Sequence, residues 1–114
     1  MLAALSHGNE SRRTALLVMK SGSEATLCPF FGKCDGLLLI DPDTDSREFH
    51  ANIEHTAEQM CDVVLKSGVY RLVLGFIPGA MARKMRAAGV DIRLGSCVCA
   101  VEDLAACFDV LPAL

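Results

Sequence analysis

Two stretches, Thr14–Met19 and Gly36–Ile40, are apolar at nearly every consecutive position yet stop at strand length. A run with no polar face, bounded by turn residues, fits a strand covered on both sides, and such a sheet needs helices to cover it. The second half of the chain supplies them. Thr56 and Gln59 have the form of a capping box, and Ala57, Met60, Cys61 and Val64 then fall on one helical face before Gly68 ends the pattern. Pro78 opens a second helix, with Met81, Met85 and Ala88 expected inward, closed by Gly89. Val101, Leu104, Ala105 and Phe108 form the stripe of a third.

Between these lie the other strands. Asp41-Pro42-Asp43-Thr44-Asp45 is a turn that sends the chain back through Arg47–Asn52 as a hairpin. Tyr70–Leu74 is the next strand, and in Val90–Leu94 apolar residues alternate with Asp91 and Arg93. The expected order is β-β-β-α-β-α-β-α, with parallel pairing and right-handed crossovers in the second half and a mixed sheet overall. Lys20–Asp35 is read as a loop. With Gly75–Gly79 and Gly95–Ala100 it would emerge at the carboxyl ends of the parallel strands, where sheets of this kind place ligands. Residues 14–114 are expected to form one α/β domain, preceded by a flexible tail over residues 1–13 that includes His7.

Composition narrows the function. The apolar fraction of 52% is too high for a disordered chain, and the net charge of -3 argues against a nucleic-acid module. No apolar run is long enough to span a bilayer. The opening Met1–Leu5 lacks the basic flank and length of a secretory signal, so a cytoplasmic location is expected, without membrane or nucleic-acid partners.

In that reducing compartment six cysteines are poor candidates for a disulfide framework and must serve packing, thiol chemistry or metal ligation. Cys61 and Cys107 fall on or beside helical stripes, so core packing is expected of both. Cys28-Pro29-Phe30-Phe31-Gly32-Lys33-Cys34 and Cys97-Val98-Cys99 place four thiols on two loops of the same sheet edge, the number that usually holds an iron–sulfur cluster or a zinc ion. Cys99 also stands just before a helix start, which favours thiolate. His50 and His55 are within reach of that edge as further ligands. The metal ligands expected are therefore Cys28, Cys34, Cys97 and Cys99. Gly75-Phe76-Ile77-Pro78-Gly79 joins a strand to a helix but is neither a Walker loop nor a dinucleotide fingerprint. No serine–histidine–acid set or converging carboxylates are visible.

The run Phe30-Phe31-Gly32-Lys33-Cys34 before Leu37–Asp41 resembles a family segment in which His-Phe-Gly-Arg/Lys precedes the second strand. Gly68-Val69-Tyr70-Arg71-Leu72-Val73-Leu74-Gly75, followed by Ala82, Met85 and Ala88-Gly89-Val90, resembles a later run of the same family. That family is the dinitrogenase iron–molybdenum cofactor biosynthesis domain (NifX/NafY type), and the likeness extends over Thr14–Asp109. It implies a ribonuclease-H-like, three-layer fold with a five-stranded mixed sheet whose second strand is antiparallel. It also implies a non-catalytic carrier or chaperone of an iron–sulfur or iron–molybdenum-type cluster, related to nitrogen fixation, working with metallocofactor assembly or acceptor proteins. The cofactor-binding residues expected on both grounds are Cys28, Phe30, Gly32, Cys34, His50, Gly75, Cys97 and Cys99. Phe30 stands where the family usually has His, and Gly75-Phe76-Ile77-Pro78 departs from the family's glycine pattern. The rival readings are a thiol–disulfide oxidoreductase using Cys97 and Cys99, and an interaction module whose cluster site has decayed.

Overall fold

The computed structural model describes residues 13–114; the tail expected over residues 1–13, His7 included, lies outside the described residues except for Arg13. The strands are β1 (Thr14–Ser21), β2 (Glu24–Leu27), β3 (Gly36–Asp41), β4 (Ser46–Ala51), β5 (Arg71–Leu74) and β6 (Asp91–Leu94). The helices are α1 (Ala57–Ser67), α2 (Gly79–Ala87) and α3 (Val101–Ala106), with single 3₁₀ turns at Phe31–Lys33 and Phe108–Val110.

The sheet order is β4-β3-β1-β5-β6, and β2 pairs with the outer half of β1. Strands β1, β5 and β6 run parallel, while β3 is antiparallel to both β1 and β4. The mixed α/β architecture expected from the sequence is present. Its sheet has six strands rather than five. The segment read as loop after Met19 is a hairpin, in which Gly22, at φ +63°, turns β1 into β2. Glycine carries this left-handed conformation without the Cβ clash of other residues.

Side chains of β1 and β3 alternate between two cores. Ala15, Leu17, Leu37 and Leu39 pack with Met60, Cys61 and Val64 of α1 and with Ala82 and Met85 of α2. Leu16, Val18, Leu38 and Ile40 pack on the other face with Val101, Leu104 and Ala105 of α3 and with Phe108. That double burial is why the two strands read as unbroken apolar runs. Thr56 Oγ1 accepts the Gln59 amide at 3.1 Å, and Gly68 closes α1 at φ +75°.

Two helical details depart from expectation. Ala82 rather than Ala88 packs inward from α2, since the helix ends at Ala87 and Ala88 lies past its last turn, exposed. Cys107 is exposed instead of buried. Helix α3 stops at Ala106, and the chain tightens into the Phe108–Val110 turn, which sends Phe108 inward and leaves the Cys107 thiol on the Asp103 carbonyl at 2.8 Å. At the β6 margin the chain's own end closes the sheet: Leu94 N–H donates to Pro112, and Leu114 N–H donates to Ile92. Arg93 fixes the approach to that strap through the carbonyls of Phe108, Asp109 and Leu111.

Candidate functional site

The parallel strands β1, β5 and β6 deliver their carboxyl ends to one edge, as does β4. Four connections meet there: Cys28–Asp35 entering β3, Asn52–Thr56 leaving β4, Gly75–Pro78 leaving β5 and Gly95–Ala100 leaving β6. The shared edge expected for the cysteine loops is therefore present.

The loops are laced together through backbone. A Cβ on Gly75 would stand 3.0 Å from the Cα of Pro29 and 3.2 Å from the Cys28 carbonyl oxygen, so a side chain there would push these loops apart. A Cβ on Gly32 would stand 3.0 Å from the Ala57 amide, which packs the first loop onto the start of α1. Ala100 forms an antiparallel bridge with Thr26, holding the Cys97–Cys99 segment where β2 runs on into Leu27 and Cys28. Of the expected cofactor residues, Gly32 and Gly75 are thus places of close packing.

The four expected ligand cysteines divide into two pairs. Cys28 and Cys34 are buried, and both thiols donate to the carbonyl oxygen of Phe30, at 3.2 and 3.1 Å. Burial first, then the neighbouring Cys28 and the charge of Asp35, pushes the Cys34 thiol far above its ordinary range. Cys28 points inward because it prolongs the β2 pairing, its amide donating to the Leu17 carbonyl at 2.8 Å. Cys97 and Cys99 are exposed on a turn in which the Cys99 amide donates to the Ser96 carbonyl at 3.1 Å. Among the described residues no group of three or more His, Cys, Asp or Glu is arranged to hold a metal ion.

Asn52 completes the inner support. It is fully buried, and its amide nitrogen donates to the carbonyls of Cys34 at 3.0 Å and Gly32 at 3.4 Å. The same loop therefore accepts hydrogen bonds from two thiols and one carboxamide beneath it. Its tip, Phe30, points outward and is 61% exposed. The neighbouring connections present Ile53 (80% exposed), Phe76 (62%) and Val98 (93%), so each loop at this edge offers one apolar side chain to solvent.

His50 is placed by β4, opposite Leu37 of β3. It stands on the α1 side of β4, its ring 2.6 Å from Glu48 and beside Val63 and Lys66. His55 is the imidazole at the loop edge. Its Nε2 lies 3.2 Å from Asp35 Oδ1, while Asp35 Oδ2 accepts the Lys20 amide at 2.7 Å. That amide and then His55 lower the Asp35 pKa below its ordinary value. His55 adopts φ +54°, a conformation uncommon outside glycine. The sequence reading missed Asp35 and Asn52, whose partners lie far along the chain.

On the α3 face a cleft of about 520 Å³ opens beside Ala100, between the β1–β2 hairpin and β4. Arg47 and Glu102 form an ion pair at 2.7 Å on its wall, and the Lys20 ammonium lies 4.4 Å over the Phe49 ring. No helix among the described residues is long and apolar enough to cross a membrane.

The fold has relatives among solved structures. The apo form of the orange protein from Desulfovibrio gigas is 22% identical and superposes with a TM-score of 0.79, over 90% of this chain and 92% of that one. The NMR structure of a provisionally named NifB protein from Thermotoga is 15% identical, with a TM-score of 0.60, over 82% of this chain and 83% of that one. At these identities the likeness establishes the fold. No curated protein sequence gives a match. The sequence itself matches the family model described as "Dinitrogenase iron-molybdenum cofactor" over residues 13–108, a span that includes both cores and all four edge loops, and the chain belongs to that family.

Proposed function

We propose that this protein is a non-catalytic carrier of an iron–sulfur or iron–molybdenum-type cluster, which it holds as cargo at the loop edge and passes to metallocofactor assembly or acceptor proteins. The observation that carries the reading is the exposed Cys97-Val98-Cys99 turn, held against β2 and flanked by the exposed apolar side chains of the neighbouring loops. Soft thiolates suit iron–sulfur chemistry. Solvent-facing apolar groups suit contact with a bulky cluster or with the surface of an acceptor. Family membership supports the same assignment, and the orange protein, solved in an apo form, shares the fold. The strand order, with β2 as an addition to β1, is read as ribonuclease-H-like, and the site of action as cytoplasmic.

The four thiols do not fit the cargo equally. Cys97 and Cys99 are accessible donors. Cys28 and Cys34 both donate to one carbonyl oxygen, so ligation by them requires the loop to give up those hydrogen bonds. The direct contacts are therefore assigned to Cys97 and Cys99, with Cys28 and Cys34 supporting Phe30.

The experiment is reconstitution with iron and sulfide in the absence of oxygen, read by visible charge-transfer absorption and acid-labile sulfide. Cys97→Ser/Cys99→Ser is expected to lose the cluster, while Cys28→Ala/Cys34→Ala retains it per folded molecule. Equal uptake by wild type and Cys97→Ser/Cys99→Ser would place the cargo elsewhere. A wild-type protein that refuses cluster but shows a two-electron thiol couple would move the reading to thiol–disulfide exchange at the same turn.

A further inference from the structure

The two margins of the sheet are treated differently by the chain. The β6 margin is covered by residues around Pro112–Leu114, whereas among the described residues nothing pairs with the outer side of β4. An uncovered strand of this length is a template for another strand. We infer that the open β4 edge binds a second copy of this chain, joining two sheets into one across a two-fold axis at Phe49. This assignment stands apart from the cargo reading and uses neither Cys97 nor Cys99.

Backbone parity sets the first condition. The Asn52 amide donates inward to the Asp35 carbonyl at 2.9 Å, and β4 pairs with β3 in unbroken register from Ala51 opposite Gly36 to Ser46 opposite Asp41. In an antiparallel ladder the backbone groups of alternate residues turn to opposite sides. Those of Ser46, Glu48 and His50 therefore face β3, and those of Arg47, Phe49 and Ala51 face outward. A partner strand must set outward residues opposite outward residues. Centring the axis on Phe49 satisfies all three at once: Phe49 faces the partner's Phe49, and Arg47 and Ala51 face the partner's Ala51 and Arg47.

Side-chain chemistry selects the same register. With Phe49 on the axis, Glu48 falls opposite the partner's His50, and His50 opposite the partner's Glu48. Within one copy these two side chains already share a face and meet at 2.6 Å. Two copies then build a square in which carboxylate and imidazole alternate along and across the strands. The next allowed register in one direction sets Glu48 against the partner's Glu48; in the other it sets His50 against the partner's His50. Charged edge residues commonly repel a second strand. Here the pattern is self-complementary in one register, and that register also satisfies the most backbone groups. A two-fold contact requires this kind of self-complementarity.

The test is sedimentation equilibrium of the full chain over a wide concentration range. Wild type is expected to dimerise reversibly. His50→Glu, which sets like charges opposite each other twice per dimer, should weaken association by about tenfold or more. The exchange Glu48→His/His50→Glu restores donor opposite acceptor in that register alone and should recover the dimer. Ala51→Pro removes an outward N–H without touching the bonds to β3, so it should weaken the dimer while leaving the circular dichroism spectrum unchanged. A wild type that stays monomeric throughout overturns the inference, as does association unaffected by His50→Glu and Ala51→Pro, or an exchange that fails to restore it. A protein that dimerises only after residues 1–12 are removed would assign the edge to its own N-terminal segment and would equally overturn the inference.

Discussion

Cys28 and Cys34 share one acceptor: both thiols reach the Phe30 carbonyl oxygen, which also takes the Lys33 amide at 3.2 Å. Three donors on one oxygen leave the loop little freedom between its two cysteines. Phe30 is therefore displayed by construction. Phe30 thus stands on a tip that is braced from beneath.

This arrangement predicts a sharp division of thiol reactivity. In native protein at neutral pH, a maleimide should modify Cys97, Cys99 and Cys107 quickly, because all three are exposed. Cys28, Cys34 and Cys61 should react only as the protein unfolds, since burial hides them and raises the pKa of Cys34 and Cys61. Peptide mass spectrometry of a labelling time course checks this. Early labelling of Cys28 or Cys34 would mean the loop opens freely.

Cys61 and Cys107, which look alike in the sequence, should behave differently when truncated. Cys61→Ala removes a buried side chain and should cost about 1 kcal/mol in urea unfolding. Cys107→Ala removes an exposed one and should stay within about 0.5 kcal/mol of wild type.

Gly75→Ala should destabilise the protein by about 1–3 kcal/mol, because the new methyl group meets the backbone of Cys28 and Pro29, which cannot step aside as a flexible side chain would. The same variant should speed maleimide labelling of Cys28, a readout specific to this contact.

The Asp35 carboxylate is stabilised in the folded state by the Lys20 amide and His55. A folded-state pKa below the unfolded value gives stability that is present above the unfolded pKa and fades as pH falls through the folded one. Asp35→Asn should therefore be less stable than wild type at neutral pH. The difference should shrink as pH drops below the ordinary carboxylate range. Denaturation midpoints measured from pH 7 down to acid compare the two. The group is partly solvated, so solvent screening keeps the effect small.

Much of the frame was legible in the sequence, because burial on both faces turns β1 and β3 into continuous apolar runs and because Thr56 and Gly68 bracket α1 with local chemistry. Strand β2 was not. Only Leu27 of its four residues is buried, so Glu24-Ala25-Thr26 carries no apolar pattern, and the turn at Gly22 was the one available sign. The cysteine loops were placed at the right edge, since connectivity sets which end of a sheet a loop occupies. Which way each thiol points depends on pairing with Leu17 and on the Phe30 carbonyl, and spacing does not encode that. Asn52 and the Asp35–His55 pair were missed for a related reason, as their partners are brought near only when β3 and β4 align. Cys107 was misplaced because the helical period was carried past Ala106, where the chain tightens into a 3₁₀ turn.

The C-terminal strap over β6 also sets how far edge-to-edge assembly can go. A sheet open at both margins would accept a copy on each side and grow without limit, as fibrils do. With Leu94 and Ile92 already bonded to Pro112 and Leu114, a copy added at β4 meets no second open margin among the described residues. Growth terminates at two. The strap thus works as a chain terminator in the polymer sense, and a variant cut before Pro112 should regain a second growing end and run on into larger particles.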